Sequence, residues 1–411
     1  TDVELPLDPD MHDGKAEAFF ADGKVAYRCS ACGATVKTES RAPLIDIYVS
    51  SNGMTLDVGY ISDAIGIESK PFADLADALD YAAASANANA AATVHIAGTA
   101  ALPTAYEMPD YTGAVTITGG AMNFTGTTAA EQSFHAGGAL TFENIAFTTE
   151  KSRVGARIFA RNHKLVMGEG IVTGGDIYVV GGAQDTTVGG VLDSDVTIRS
   201  GAYYLVVGAN RHDYDNPAAG TVRLTIGKTA ADDTLTITQL FPFSVNGGTL
   251  AATSRAIVRI DGDAVIDQLY ANIHPGRTVY TEGVQYIVDF ILTGDIQNAD
   301  SSISGGVNLL YEMTAGTNSA VGVFNVYNMD VPDASEASMD DAGELLNFAH
   351  DNITVNLKTG AEYCVDYNGG HADADEDGVC DKCGASMACD HLYYHNGTVI
   401  PATCASAGVS S

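Results

Sequence analysis

The sequence predicts an all-β solenoid of stacked parallel coils, with one amphipathic helix near its start and small metal-binding modules at both ends. Three observations lead there. Short alternating strands recur through the middle of the chain, helical periodicity is confined to one early segment, and all seven cysteines lie near the two ends. A unit of roughly 23–34 residues holding two or three strands signals coils that bury their apolar sides against their neighbours. A face-packed sandwich with Greek-key crossings is the competing all-β arrangement. The recurring Val-Thr-Ile-x-Gly pattern, without hairpin Asn-Gly turns between its strands, favours parallel coils.

Residues 1–42 form a half-module around Tyr27-Arg-Cys29-Ser-Ala-Cys32-Gly33, and Arg41-Ala-Pro43 is a linker. Ile45-Asp-Ile-Tyr-Val-Ser-Ser-Asn-Gly53 reads as a strand ending in a turn. Over residues 70–84, Phe72, Leu75, Leu79 and Ala83 fall at helical intervals behind Pro71, a residue suited to a helix start, and an Ala/Asn-rich loop follows. From Val94 to about residue 360 the strands repeat: Ala114–Gly120, Ala139–Phe147, Asp195–Gly201, Thr221–Gly227, Thr234–Thr238, Ala256–Gly262 and Asn352–Leu357. Most end in Gly, Asp or Asn, as tight corners require. The expected divisions are 1–42, the coils over 43–360, a metal module over 361–388 and an incomplete Cys/His module over 389–411.

Hydrophobic residues make up 46% of the 411, enough for a substantial core, whereas 20 basic residues face 52 acidic ones. The net charge of -32 repels nucleic acid and anionic membrane surfaces, and weighs against a polyanionic glycan as substrate. It favours solubility outside the cell, divalent cation binding, or both. No apolar run is long enough for a membrane span and no signal peptide opens the chain, so Thr1 reads as the start of a processed or excised segment.

The most specific motif is Cys364-x6-His371-x8-Cys380-x2-Cys383. Three sulfurs and an imidazole within twenty residues suit one tetrahedral structural zinc, with no position left open for water. A disulfide pair plus an unrelated histidine is the alternative. Inside the motif, Asp373, Asp375, Asp377 and Gly378 resemble the opening of a calcium loop. Gly384 stands where the loop's last carboxylate belongs and Asp381 compensates in part, so a solvated acidic turn is the competing reading. Cys389, His391 and Cys404 make an incomplete site, as do Cys29 and Cys32, with His395 or His12 as substitute ligands. Either the C-terminal donors of one copy meet Cys29 and Cys32 of the next, a head-to-tail contact that propagates, or a tandem module is interrupted at both ends.

Two resemblances add to this. Ile47-Tyr-Val-Ser-Ser-Asn-Gly53, Lys70-Pro-Phe-Ala-Asp-Leu-Ala-Asp-Ala-Leu79 and Val94-His-Ile-Ala-Gly98 are similar to the entry of right-handed parallel β-helices of the pectin-lyase-like superfamily. The resemblance implies that fold over residues 45–360, with the helix capping the first coil. His371–Gly384, and Cys389-Asp-His391 with Ile400-Pro-Ala-Thr-Cys404, resemble short Cys/His modules of large surface proteins of Gram-positive gut anaerobes; Tyr27–Gly33 resembles the ending of such a module. This implies an extracellular, cell-surface setting. Polysaccharide-cleaving enzymes of the β-helix fold use clustered aspartates, calcium and a basic residue. Here the candidates are Asp213 and Asp215 with Arg211 and His212, although loop chemistry explains them equally. Asp193, Asp195, Asp261 and Asp263 read as corners, and Tyr203 and Tyr204 as packing residues. The functional expectation is a non-enzymatic structural or adhesive protein, a filament subunit or a segment of a longer repeat chain. A carbohydrate-active enzyme or a glycan-binding module is the rival.

Overall fold

In the computed structural model the described residues are 15–21, 24–29, 33–40, 44–50, 56–57, 66, 68, 71–149, 155–182, 193–209, 214–216, 220–243, 248–250, 255–261, 264–269, 285–293, 296–298, 307–309, 321–328, 353–368, 370–372, 374, 379–385, 392–395 and 398–401. Three parallel sheets dominate them, of eleven, nine and four strands. Between residues 91 and 180 the chain visits the three in rotation. Ala91–Ala97, Thr99–Leu102 and Tyr106–Glu107 make one circuit, and Ala114–Thr118, Ala121–Phe124 and Ser133–His135 the next. Strands pair in parallel with their counterparts one circuit on, at spacings from 21 residues (Ala156 beside Ile177) to 47 (Asp46 beside Thr93). Parallel pairing throughout these sheets overturns the Greek-key sandwich.

The register shows why the chain folds this way. In the eleven-stranded sheet one column runs Ile47, Val94, Ile117, Phe142, Met167, Ile198, Ile226, Ile260 and Leu292, all buried. Apolar residues at alternate positions put each strand's bulk on one face, and register sets like upon like between strands. Corners use left-handed backbone. Asn144, at φ 49, breaks the stretch expected to be one strand over 139–147 into Ala139–Glu143 and Ala146–Thr149, which lie in different sheets. At Gly120, φ 46, an added Cβ would stand 2.3 Å from the carbonyl oxygen of Gly98, so only glycine passes.

Helix α1 spans Leu75–Asn89, a correction to the expected 70–84. Asp74, not Pro71, starts it, its carboxylate accepting the amide of Ala76 at 2.8 Å. The Ala/Asn-rich stretch expected as a loop continues the helix, because alanine is the strongest helix former, and Ala90 at φ 64 ends it. Pro71 and Phe72 precede it in extended form. Phe72 exchanges backbone hydrogen bonds with Tyr48 and Ser50, and Gly66 accepts the Tyr48 amide, so chain segments cover the outer edge of Asp46–Ser50.

Antiparallel pieces lie at the ends. Lys15–Ala21, Lys24–Cys29 and Thr35–Ser40 form a meander, joined at its edge by Leu56–Asp57, and Leu392–His395 pairs with Thr398–Pro401.

Candidate metal centre

Helix α2, Gly360–Asn368, follows directly on the last strand of the eleven-stranded sheet, Ile353–Thr359. Thr359 and Glu362 start it reciprocally. The Thr359 amide donates to Glu362 Oε2 at 2.9 Å, and the Glu362 amide donates to Thr359 Oγ1 at 3.3 Å, a capping box. One face of α2 lies on the side of the sheet opposite its apolar columns. There Tyr363 and Tyr367 meet the ring of Tyr327, at centroid distances of 5.8 and 5.7 Å. Asp289, Asn325 and Asn356 stand in one register column, linked by side-chain hydrogen bonds of 2.6 and 2.9 Å. Arg255 and Tyr367 both donate to the other oxygen of Asp289, whose carboxylate is fully buried. Lys358 donates to Asp366 at 2.5 Å, and Tyr327 donates to the same oxygen at 2.7 Å. Lys358 therefore holds the Asp366 carboxyl below the usual carboxylate range, against burial and with help from Tyr327.

The opposite end of the motif is a tight turn. In Cys380–Ala385 the Gly384 amide donates to the Cys380 carbonyl and the Cys380 amide to the Ala385 carbonyl, both at 2.9 Å, with Gly384 at φ 68. Helix and turn meet through sulfur. Cys364 Sγ lies 3.7 Å from Cys380 Sγ, and Cys383 Sγ lies 3.5 Å from His371 Nδ1. The four donor atoms all fall within 4.8 Å of one another, so Cys364, His371, Cys380 and Cys383 could hold one metal ion. Cys364, Cys380 and Cys383 are buried together with Ala385, and the half-buried Ala361 and Tyr363 pack against them, while His371 is exposed. Burial works against ionisation of the Cys380 thiol. Hydrogen bonds from the backbone at Lys382, Ala372 and Cys383 and from the His371 side chain outweigh it, bringing the thiol down to about 6. None of Cys29, Cys364, Cys380 and Cys383 is in a disulfide. A thiol core with an imidazole at its rim is the donor set of a soft transition-metal ion.

The other expected sites fare differently. Asp373, Asp375 and Asp377 lie outside the described residues, and Asp381 accepts the amide of Ala374 at 2.7 Å, a turn brace within the motif. Cys32, Cys389, His391, Cys404 and His12 also lie outside them, as do Arg211, His212 and Asp213. Asp215 falls in Tyr214–Asn216, a strand paired with Gly248–Leu250, and His395 in Leu392–His395. Cys29 ends the strand Lys24–Cys29 and is buried. Asp193 accepts the Thr221 amide at 3.0 Å, Asp195 lies in Ser194–Ile198, and Asp261 ends Arg255–Asp261; Asp263 is outside the described residues. Tyr203 is buried with its hydroxyl donating to the Ser200 carbonyl, and Tyr204 lies against Tyr178. Sequence reasoning missed α2 and its docking residues Arg255, Asp289, Tyr327 and Tyr367. The Thr359-x-x-Glu362 pair was their one readable signal.

Among the described residues no helix is long and apolar enough to cross a membrane. Comparison of the chain with family models, curated proteins and solved structures returned no match.

Proposed function

We propose that the chain is a right-handed parallel β-helix acting as a non-enzymatic structural or adhesive protein at a cell surface, with zinc in the Cys364, His371, Cys380 and Cys383 centre. The observation that carries the metal reading is the pair of donor separations. Two sulfurs about 2.3 Å from one zinc at the tetrahedral angle stand about 3.8 Å apart, and a sulfur and an imidazole nitrogen about 3.5 Å apart. The centre's distances of 3.7 and 3.5 Å match both. Because α2 carries Cys364 and docks through Tyr363 and Tyr367, an ion there ties the module to the flank of the last strands. Metal-binding free energy then becomes folding free energy in a module whose described core is small.

The structural role rests on the stacked parallel circuits, and the surface setting on the acidic composition and the Cys/His resemblance. Head-to-tail association with further copies or modules belongs to the same reading. The test has two arms. Removing metal with a chelator, or Cys380→Ser, lowers the melting temperature and frees α2; an unchanged melting curve sinks the zinc assignment. Incubation with neutral and acidic glycans, with and without calcium, yields no cleavage. Turnover abolished by Asp213→Ala would replace the structural reading with the enzymatic one.

A further inference from the structure

Two of the four donors of the metal centre are placed to react with each other. Cys364 Sγ and Cys380 Sγ stand 3.7 Å apart and 16 residues apart in the chain, one on α2 and the other opening the turn Cys380–Ala385. A disulfide needs about 2.05 Å between its sulfurs, so an approach of about 1.7 Å joins them. Backbone hydrogen bonds hold both flanks in place without help from metal. The Gly370 amide donates to the Cys364 carbonyl at 3.0 Å, and the Asp381 amide to the Ala372 carbonyl at 2.9 Å. Tyr363 and Tyr367 keep the helix against the ring of Tyr327 on the sheet. Cys364, Cys380 and Cys383 are 0, 2 and 4% exposed, and the exposed His371 marks the side on which the centre meets solvent. Thiols so enclosed admit only a small oxidant.

We infer that the centre is a peroxide-responsive switch, in which a hydroperoxide oxidises Cys364 and Cys380 to a disulfide and the ion is released in exchange. The inference rests on the zinc reading given above and deepens it, because the disulfide alternates with the metal in one module. The thiolate of one cysteine attacks a peroxide oxygen. An S–O bond forms as the O–O bond breaks, and the departing hydroxide takes up a proton. The second thiolate then attacks the sulfenic sulfur, forming the S–S bond as a second hydroxide leaves and is protonated. Two thiolates have lost two electrons, and hydrogen peroxide, with those electrons and two protons from solvent, has become two waters. His371 and Cys383, with Nδ1 and Sγ 3.5 Å apart, are the donors that remain. Two donors fall short of the four that a structural zinc takes, so the ion is lost. The new bond still ties α2 to the turn. A dithiol reductant returns both electrons and restores the site.

Peroxide titration of the zinc-loaded full chain tests this. A chromogenic chelator follows the ion, and peptide mapping by mass spectrometry locates the cross-link. Hydrogen peroxide should release the centre's zinc in step with a Cys364–Cys380 disulfide, and dithiothreitol followed by zinc should restore thiols and metal together. Cys383→Ser keeps both partners and still forms the cross-link, whereas Cys364→Ser forms none. Should Cys364→Ser fail to fold, the wild-type peptide map decides by itself. Zinc retained after peroxide, a disulfide pairing Cys364 or Cys380 with any other cysteine, or sulfinate without a cross-link overturns the switch and leaves the zinc reading standing. A chain that binds no zinc before peroxide is added refutes the zinc reading, and the switch with it.

Discussion

Asp289 is the side chain on which the docking of α2 turns. Its carboxylate lies out of water, with Arg255 and Tyr367 on one oxygen and Asn325 on the other. A buried ion pair adds little over an apolar pair of the same shape, yet removing one partner strands the other. Tyr367→Phe removes one donor and keeps the ring. It is expected to cost about 1–3 kcal/mol in denaturant unfolding, the range for a hydrogen bond to a charged group; no change would place the tyrosine hydroxyl outside the network. Asp366 gives the site an acid-side signature. Lys358 depresses its folded-state pKa below the unfolded value of about 3.9. The stabilisation is therefore complete above that value and is lost as the pH falls through the depressed one. Because the pair is partly solvated, the effect is small, about 0.2–1 kcal/mol. Asp366→Asn should flatten that part of an acid titration followed by near-ultraviolet circular dichroism of the tyrosines.

At the scale of the element, caps decide what periodicity leaves open. Glu362→Ala breaks the capping box and should lower stability by about 1 kcal/mol, with helical signal lost first from α2. The same chemistry explains what could and could not be read from the amino acids. The shift of α1 from an expected start at Pro71 to Asp74 was legible, since aspartate ahead of Leu75 and Leu79 is a capping residue. The antiparallel ends were legible too: Asp22-Gly23 and Asn396-Gly397, dipeptides suited to two-residue hairpins, separate the paired strands. The docking of α2 was not. Tyr367 lies 40 residues from Tyr327 and 78 from Asp289 in the contacts that join them, and only the stacking of circuits brings them together.

For the whole molecule, the apolar columns are both the legible part and the source of cohesion. Val-Thr-Ile repeats at coil spacing foretold parallel strands, and Phe142 within its column shows the cost of a gap. Phe142→Ala should destabilise by about 3–5 kcal/mol, read from urea unfolding, because Ile117, Met167 and neighbouring circuits cannot collapse independently onto the space. The donor set of the centre was readable from spacing alone, whereas its attachment to the sheet flank needed three dimensions. The account stands most directly on the occupant of that centre. X-ray absorption at the zinc edge of the zinc-loaded protein should show three sulfurs at about 2.3 Å and one nitrogen at about 2.0 Å. A shell of oxygens, or protein that binds no zinc when its thiols are reduced, would contradict it.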